Sequence, residues 1–184
     1  MPGIDANRPF IPIGIAVLTV SDTRTLEDDR SGDTLAARIE AAGHRLGARA
    51  IVADEVALIQ AKVLEWAAEP GIDAIVTTGG TGFTGRDVTP EALEPLFDKR
   101  MDGFSFLFHQ VSAAKIGTST LQSRATAGLV RGVFVFCVPG SPGACRDAWD
   151  EILAPQLDFR HRPCNFVEIM PRLDEHLRRG AGKG

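Results

Sequence analysis

Continuous apolar runs alternate along this chain with segments whose apolar residues recur every three or four positions. The runs are Gly14-Ile-Ala-Val-Leu-Thr-Val20, Ala50-Ile51-Val52, Ala74-Ile75-Val76 continued by Thr77 and Thr78, and Gly132-Val-Phe-Val-Phe-Cys-Val138. Such runs, rich in β-branched residues, suit strands buried on both faces of a parallel sheet. Between them, Leu35, Ala36 and Ile39 give residues 33–42 a helical apolar face, with Gly43 placed as its C-terminal cap. Val56, Ile59, Val63, Trp66 and Ala67 mark a second helix, stopped by Pro70-Gly71. A third helix is expected from Pro90 to about Phe97, with Thr89 as its N-cap, and a fourth includes Ala148, Trp149, Ile152 and Leu153. Strand and helix in alternation predict a three-layer α/β/α fold around a mostly parallel central sheet.

In a parallel sheet the carboxyl ends of the strands share one edge, where open α/β proteins bind ligands. Four polar or glycine-bearing turns fall there. The first is Ser21-Asp-Thr-Arg24, in which Ser21 and Asp22 suit ligand contact and equally suit a local Ser or Asx turn. The second carries Asp54 in the N-cap position of the next helix, a place that Asp favours for structural reasons alone. The third is Gly79-Gly-Thr-Gly-Phe-Thr-Gly85-Arg-Asp87, with four glycines in seven residues. Glycines there let amide N–H groups approach an anion, although a tight strand-to-helix connection also uses them. The fourth is Pro139-Gly140-Ser141. Gly80-Thr81-Gly82-Phe-Thr-Gly85 fits a dinucleotide fingerprint in letters, but its helix is delayed to Pro90, and no Gly-Lys-Ser/Thr follows for a P-loop. A carboxylate beside a phosphate cradle needs a cation or a hydrogen-bond donor between them; in the first case Asp54 and Asp87 suit a shared Mg²⁺, which favours oxygen ligands.

The remaining stretches are less specific. Residues 1–12 carry three prolines and read as an extended arm, frayed or crossing to a neighbouring subunit. Glu27-Asp28-Asp29 reads as a solvated acidic loop. Phe104, Phe106 and Phe108 form an aromatic cluster suited to a core or subunit interface. Residues 116–128 are dense in hydroxyls, Ser119 among them, around Arg124, whose fork suits a phosphate or carboxylate; a capped surface helix is the other reading. Residues 174–184 form a basic, glycine-rich tail expected to be disordered, leaving one domain over 13–173. The net charge of −4 argues against a nucleic-acid partner, and no run reaches the ~20 apolar residues that span a bilayer. The N-terminus lacks the apolar core of a signal peptide, and Cys137, Cys145 and Cys164 form no Cys-x-x-Cys pair. A cytoplasmic protein with reduced thiols is the expectation.

Thr19-Val-Ser-Asp22, Asp29-Arg-Ser-Gly32, Thr78-Gly-Gly-Thr-Gly82 with Arg86-Asp-Val-Thr-Pro-Glu91, and Pro139-Gly-Ser141 together resemble the MogA/MoaB family of molybdenum-cofactor biosynthesis proteins. The resemblance covers about residues 13–173, and the stretch from Cys145 to Phe166 looks more like the MoaB branch. It implies a molybdopterin-binding domain that moves AMP from Mg-ATP onto the terminal phosphate of molybdopterin. Asp54 and Asp87 match two family aspartates implicated in that chemistry. The loop of Gly79, Gly80, Thr81 and Gly82 would cradle phosphate, and Ser21, Asp22, Pro139, Gly140 and Ser141 would add contacts. It further implies a homotrimer or homohexamer and hand-over to a molybdate-inserting protein. The other reading within the family is a molybdopterin-binding carrier without transferase activity.

Overall fold

The structure, a computed structural model, describes residues 2–175; Met1 and 176–184, most of the expected tail, lie outside the described residues. In chain order the elements are β1 (Gly3–Ile4), β2 (Gly14–Val20), α1 (Arg30–Ala41), β3 (Arg45–Val52), α2 (Val56–Ala67), β4 (Ala74–Thr78) and α3 (Thr89–Leu93). They continue through β5 (Lys99–Arg100), α4 (Asp102–Ile116), β6 (Thr126–Val130), β7 (Val133–Val138), α5 (Pro142–Ala148), α6 (Ala154–Gln156), β8 (His161–Arg162) and α7 (Phe166–Ile169). The main sheet runs β3-β2-β4-β7-β6-β5, parallel across its first four strands and antiparallel at β6 and β5.

Alternation along each strand sends side chains to opposite faces. Ile15 and Val17 of β2, Val76 of β4 and Phe136 of β7 pack with Leu35 and Ile39 of α1, Phe108 of α4 and Ala148 of α5. Ala16 and Leu18, Ile75 and Val135 face the other way, against Ile59, Val63 and Trp66 of α2 and Leu93 of α3. The strands β2, β4 and β7 are buried at every residue, which is why their sequences read as unbroken apolar runs. Each large aliphatic side chain so buried is worth about 1.5–3 kcal/mol against exposure.

Several local expectations change. The hydroxyl-rich stretch 116–128 contributes a short helical turn over Gly117–Gln122 and then β6, which pairs back onto β7 through Arg131 and Gly132, both at positive φ. The aromatic cluster lies on α4 and splits by face: Phe104 and Phe108 are core, while Phe106 stays 70% exposed. The arm folds back on its own chain: β1 pairs with β8, Arg8 stacks 3.8 Å over the Phe159 ring, and its guanidinium meets Glu168. All three cysteines are free thiols. Among the described residues no helix is long and apolar enough to cross a membrane.

Candidate functional site

The four turns that the sequence places at strand ends do converge. Beyond Val20, Val52, Thr78 and Val138 lies a cleft of about 250 Å³, lined among others by Ser21, Asp54, Gly79, Gly80, Asp87 and Gly140. The turns touch directly: a Cβ built on Gly140 would stand 3.1 Å from Gly79 Cα, and one on Gly79 (φ +102°) would stand 2.2 Å from Val20 O. Gly80, at φ +63°, would place a Cβ 2.3 Å from Thr89 Oγ1 and 2.8 Å from Asp54 Oδ1. These two glycines are therefore required first by the approach of the protein to itself. The Gly79 N–H bonds Val138 O, leaving the amides of Gly80 and Thr81 as the loop's donors without an intramolecular partner among the described residues.

Thr89 does not cap α3. Val88 holds the N-cap position, and the buried Thr89 hydroxyl donates to Gly79 O at 2.8 Å, tying helix to loop. Asp54 does not cap α2 either; Glu55 is the N-cap, without a side-chain bond. The Asp54 carboxylate is thus left half-buried in the cleft, with the Asp22 backbone N–H as a hydrogen-bond donor to it. Burial, then the nearby charges of Asp22 and Asp87, raise its pKa above the usual carboxylate range, against the pull of Arg86. Asp87 is the opposite case. Its Oδ2 accepts from the Thr84 hydroxyl at 2.6 Å and the Thr84 N–H at 2.9 Å, and these bonds hold its pKa down.

Asp22 acts on its surroundings through both oxygens. It takes the Arg86 guanidinium in a two-pronged pair at 2.8 Å each and accepts the Asp54 N–H at 3.1 Å, so Arg86 lowers its pKa. Arg86 also meets Glu55 at 3.1 Å, and so links three of the turns. In the sequence Arg86 stands out only as part of the motif that carries the family resemblance and of the stretch that delays a helix. Its partners lie 64 and 31 residues away in the chain, so no local signal could reveal them.

Arg124 is placed beside the loop, with its donors turned inward. Nε bonds Gly82 O at 2.9 Å, Nη2 bonds Asp87 O at 3.0 Å, and Nη1 pairs with Glu91. It clamps the backbone instead of reaching the cleft. Ser21 forms the local turn, its oxygen accepting from Thr23 and Arg24 N–H groups, and Ser141 caps α5 by accepting from Ala144 N–H at 3.1 Å. Pro139 accepts the Thr78 hydroxyl at 3.0 Å. Ser119 is exposed on the turn after α4 and does not line the cleft. Conversely, Thr19, Arg24 and Ser31, present above only as members of a turn or motif, line it as well. The acidic loop ahead of α1 also differs from expectation: Asp29 is 1% exposed, bonded by Thr19, Ser31, Gly32 and Arg49.

No cluster of three or more metal-binding side chains occurs among the described residues. Two carboxylates facing one cleft still suit Mg²⁺, which keeps most of its waters. The Asp54 carboxylate, whose charge is disfavoured where it stands, is a group that such a cation would satisfy.

Residues 16–158 match the family described as probable molybdopterin binding domain. Molybdenum cofactor biosynthesis protein B of Escherichia coli strain K12 is 50% identical over 157 residues, covering 85% of this chain and 92% of that protein. A crystal structure of a molybdenum cofactor biosynthesis protein B superposes with a TM-score of 0.82 at 37% identity, covering 91% of this chain and 99% of the other. The tungsten cofactor synthesizing protein MoaB of Pyrococcus furiosus superposes with a TM-score of 0.69 at 36% identity, over 78% of this chain and 91% of the other.

Proposed function

The chain belongs to the MogA/MoaB family of probable molybdopterin binding domains, on its MoaB branch, and from that premise we propose that it is a molybdopterin adenylyltransferase. Its role lies in molybdenum cofactor biosynthesis. The reaction joins the terminal phosphate of molybdopterin to the α-phosphorus of ATP: a phosphate oxygen forms the new P–O bond, the bond to the β-phosphate oxygen breaks, and pyrophosphate leaves. A phosphate nucleophile is already ionised near neutral pH, so no general base is needed. Catalysis then rests on positioning and on neutralising charge.

The observation that carries this reading is the Asp54 carboxylate, half-buried at the carboxyl edge, its pKa raised by burial and by the charges of Asp22 and Asp87 beside it. With Asp87 it would hold the Mg²⁺ of Mg-ATP, which when bound neutralises charge on the reacting phosphates. The amides of Gly80 and Thr81 provide a cradle for a phosphate, and Ser21, whose oxygen already accepts two N–H groups, keeps its proton for an anionic oxygen. Asp22 holds the backbone of Asp54 in place and is itself fixed by Arg86.

A second reading, a carrier that binds molybdopterin without transfer, is favoured by Asp87, whose carboxylate is already engaged by its own loop. Pyrophosphate release from ATP and Mg²⁺, with and without molybdopterin, separates the two. Release that requires molybdopterin and collapses in Asp54→Asn is expected of the transferase. Molybdopterin binding with no release would establish the carrier.

A further inference from the structure

The motif Asp29-Arg-Ser-Gly32 is not used by the reaction outlined above, yet its carboxylate is among the most enclosed charges in the molecule. The Asp29 side chain is 0% exposed. Its Oδ2 accepts from Thr19 Oγ1 at 2.7 Å and from Arg49 Nη2 at 2.9 Å; its Oδ1 accepts from Gly32 N–H at 2.9 Å and Ser31 Oγ at 3.2 Å. An ionised carboxylate accepts and never donates, so both hydroxyl protons point at Asp29. Arg49, the Gly32 N–H and the Thr19 hydroxyl outweigh burial and hold Asp29 in that ionised form.

Thr19 and Ser31 also line the cleft. A hydroxyl has one proton; once it is spent, only lone pairs remain for a ligand. Thr78 behind them is in the same condition, since its hydroxyl donates to Pro139 O; the Cys145 thiol, kept protonated by burial, stands 3.2 Å from the same hydroxyl oxygen. Ser21 is the contrast, with two N–H groups on its oxygen and, among the described residues, no acceptor for its proton. The cleft therefore has a donating side at Ser21 and an accepting side at Thr19 and Ser31. A phosphate oxygen finds no hydroxyl proton at Thr19 or Ser31. The ligand chemistry that fits is an N–H donor, such as the exocyclic amino group of a nitrogen heterocycle.

We propose that Thr19 and Ser31 form a hydrogen-bond-accepting subsite for the amino edge of a heterocyclic ligand, and that Asp29 is the positioning residue that imposes this polarity. The inference rests on the ligand-binding reading of the same cleft, and deepens it. Both molybdopterin's pterin ring and the adenine of ATP carry such an amino group. Its source is decided by two matched pairs: pterin against pteridin-4-one, which lacks the 2-amino group, and ATP against purine riboside triphosphate, which lacks the 6-amino group.

Dissociation constants for each pair are measured by equilibrium dialysis with the wild type, Ser31→Ala, Thr19→Val and Asp29→Asn. The wild type should prefer the amino-bearing member of one pair by about tenfold, the effect of one well-made hydrogen bond. In Ser31→Ala or Thr19→Val that ratio should fall toward one. Asp29→Asn replaces an acceptor oxygen by an N–H₂ donor, so a hydroxyl must turn its proton away and the ratio should fall although residue 29 touches no ligand. A purely structural role for Asp29 would weaken both members of a pair equally and leave the ratio intact. Should Asp29→Asn fail to fold, the other two variants carry the test. A wild-type ratio near one in both pairs, or one that survives in both Ser31→Ala and Thr19→Val, would overturn the inference while leaving the ligand reading standing. Binding of neither pterin nor ATP would overturn both.

Discussion

Replacing Arg124 by lysine separates a residue that holds the glycine loop from one that grips a phosphate. Lysine keeps the charge and loses the fork. In the structure the fork donates from Nε to Gly82 O at 2.9 Å and from Nη2 to Asp87 O at 3.0 Å, with a longer contact from Nε to Thr81 O at 3.4 Å. A single ammonium can serve one of those carbonyls. Hydrogen bonds to a charged group contribute about 1.5–3 kcal/mol each, and the Arg124 side chain is only 26% exposed, so one lost bond costs about 2 kcal/mol. The Glu91 pair adds little to the difference, because Glu91 is 51% exposed and lysine can retain it. For a chain of 184 residues, about 2 kcal/mol lowers the melting temperature by roughly 4–8 °C. Thermal unfolding followed by circular dichroism reads that shift, and hydrogen exchange should show faster opening at residues 79–87. A melting temperature within about 1 °C of wild type, with binding of ATP abolished, would refute the clamp and restore Arg124 as a ligand residue.

Further consequences follow from neighbouring residues. Gly80→Ala puts a Cβ into a left-handed position 2.3 Å from Thr89 Oγ1, and should cost at least about 2 kcal/mol in urea unfolding at unchanged m-value. Mg²⁺ at about tenfold above its dissociation constant should add about 1.4 kcal/mol to the wild type. It should add nothing to Asp54→Asn, and equal gains in both proteins would remove Asp54 from the metal site. Asp29 has its folded pKa held below the usual value, so it contributes stability above its unfolded pKa and loses it as pH falls through the folded one. The acid limb of unfolding below about pH 4 should accordingly flatten in Asp29→Asn. Burial pushes the thiols of Cys137 and Cys145 up to about 12 and about 11, whereas Cys164 is exposed. Iodoacetamide at pH 8 should label Cys164 alone in the folded protein, as read by peptide mass spectrometry.

The fold was legible wherever a strand is buried on both faces. Residues 14–20, 74–78 and 133–138 appear as strands over almost the limits their apolar runs suggest. The antiparallel β6 was not legible, because Thr-Ala-Gly-Leu-Val is short, contains glycine, and is fixed by pairing with β7. The convergence of Ser21, Asp54, Gly80, Asp87 and Gly140 followed from sheet topology alone. What each does there did not. Arg124 and Asp29 look like a ligand arginine and a solvated acid in sequence, and only their partners, 42 and 10 residues away, reveal a clamp and a buried hub. Asp54 shows the converse. A residue in a common capping position is left uncapping by one place, and that displacement frees its carboxylate.

The pairing of Arg86 with both Asp22 and Glu55, and of Arg24 with Asp28, has a kinetic consequence. The two cations that line the cleft are already balanced by their own partners, whereas Asp54 and Asp87 bring two further negative charges. The mouth of the cleft therefore repels a bare polyanion at a distance, and encounter with one should quicken as added salt screens that field. A ligand whose charge is already masked escapes this barrier, so the proposed adenylyl transfer would favour arrival of a metal-complexed nucleotide over a free one.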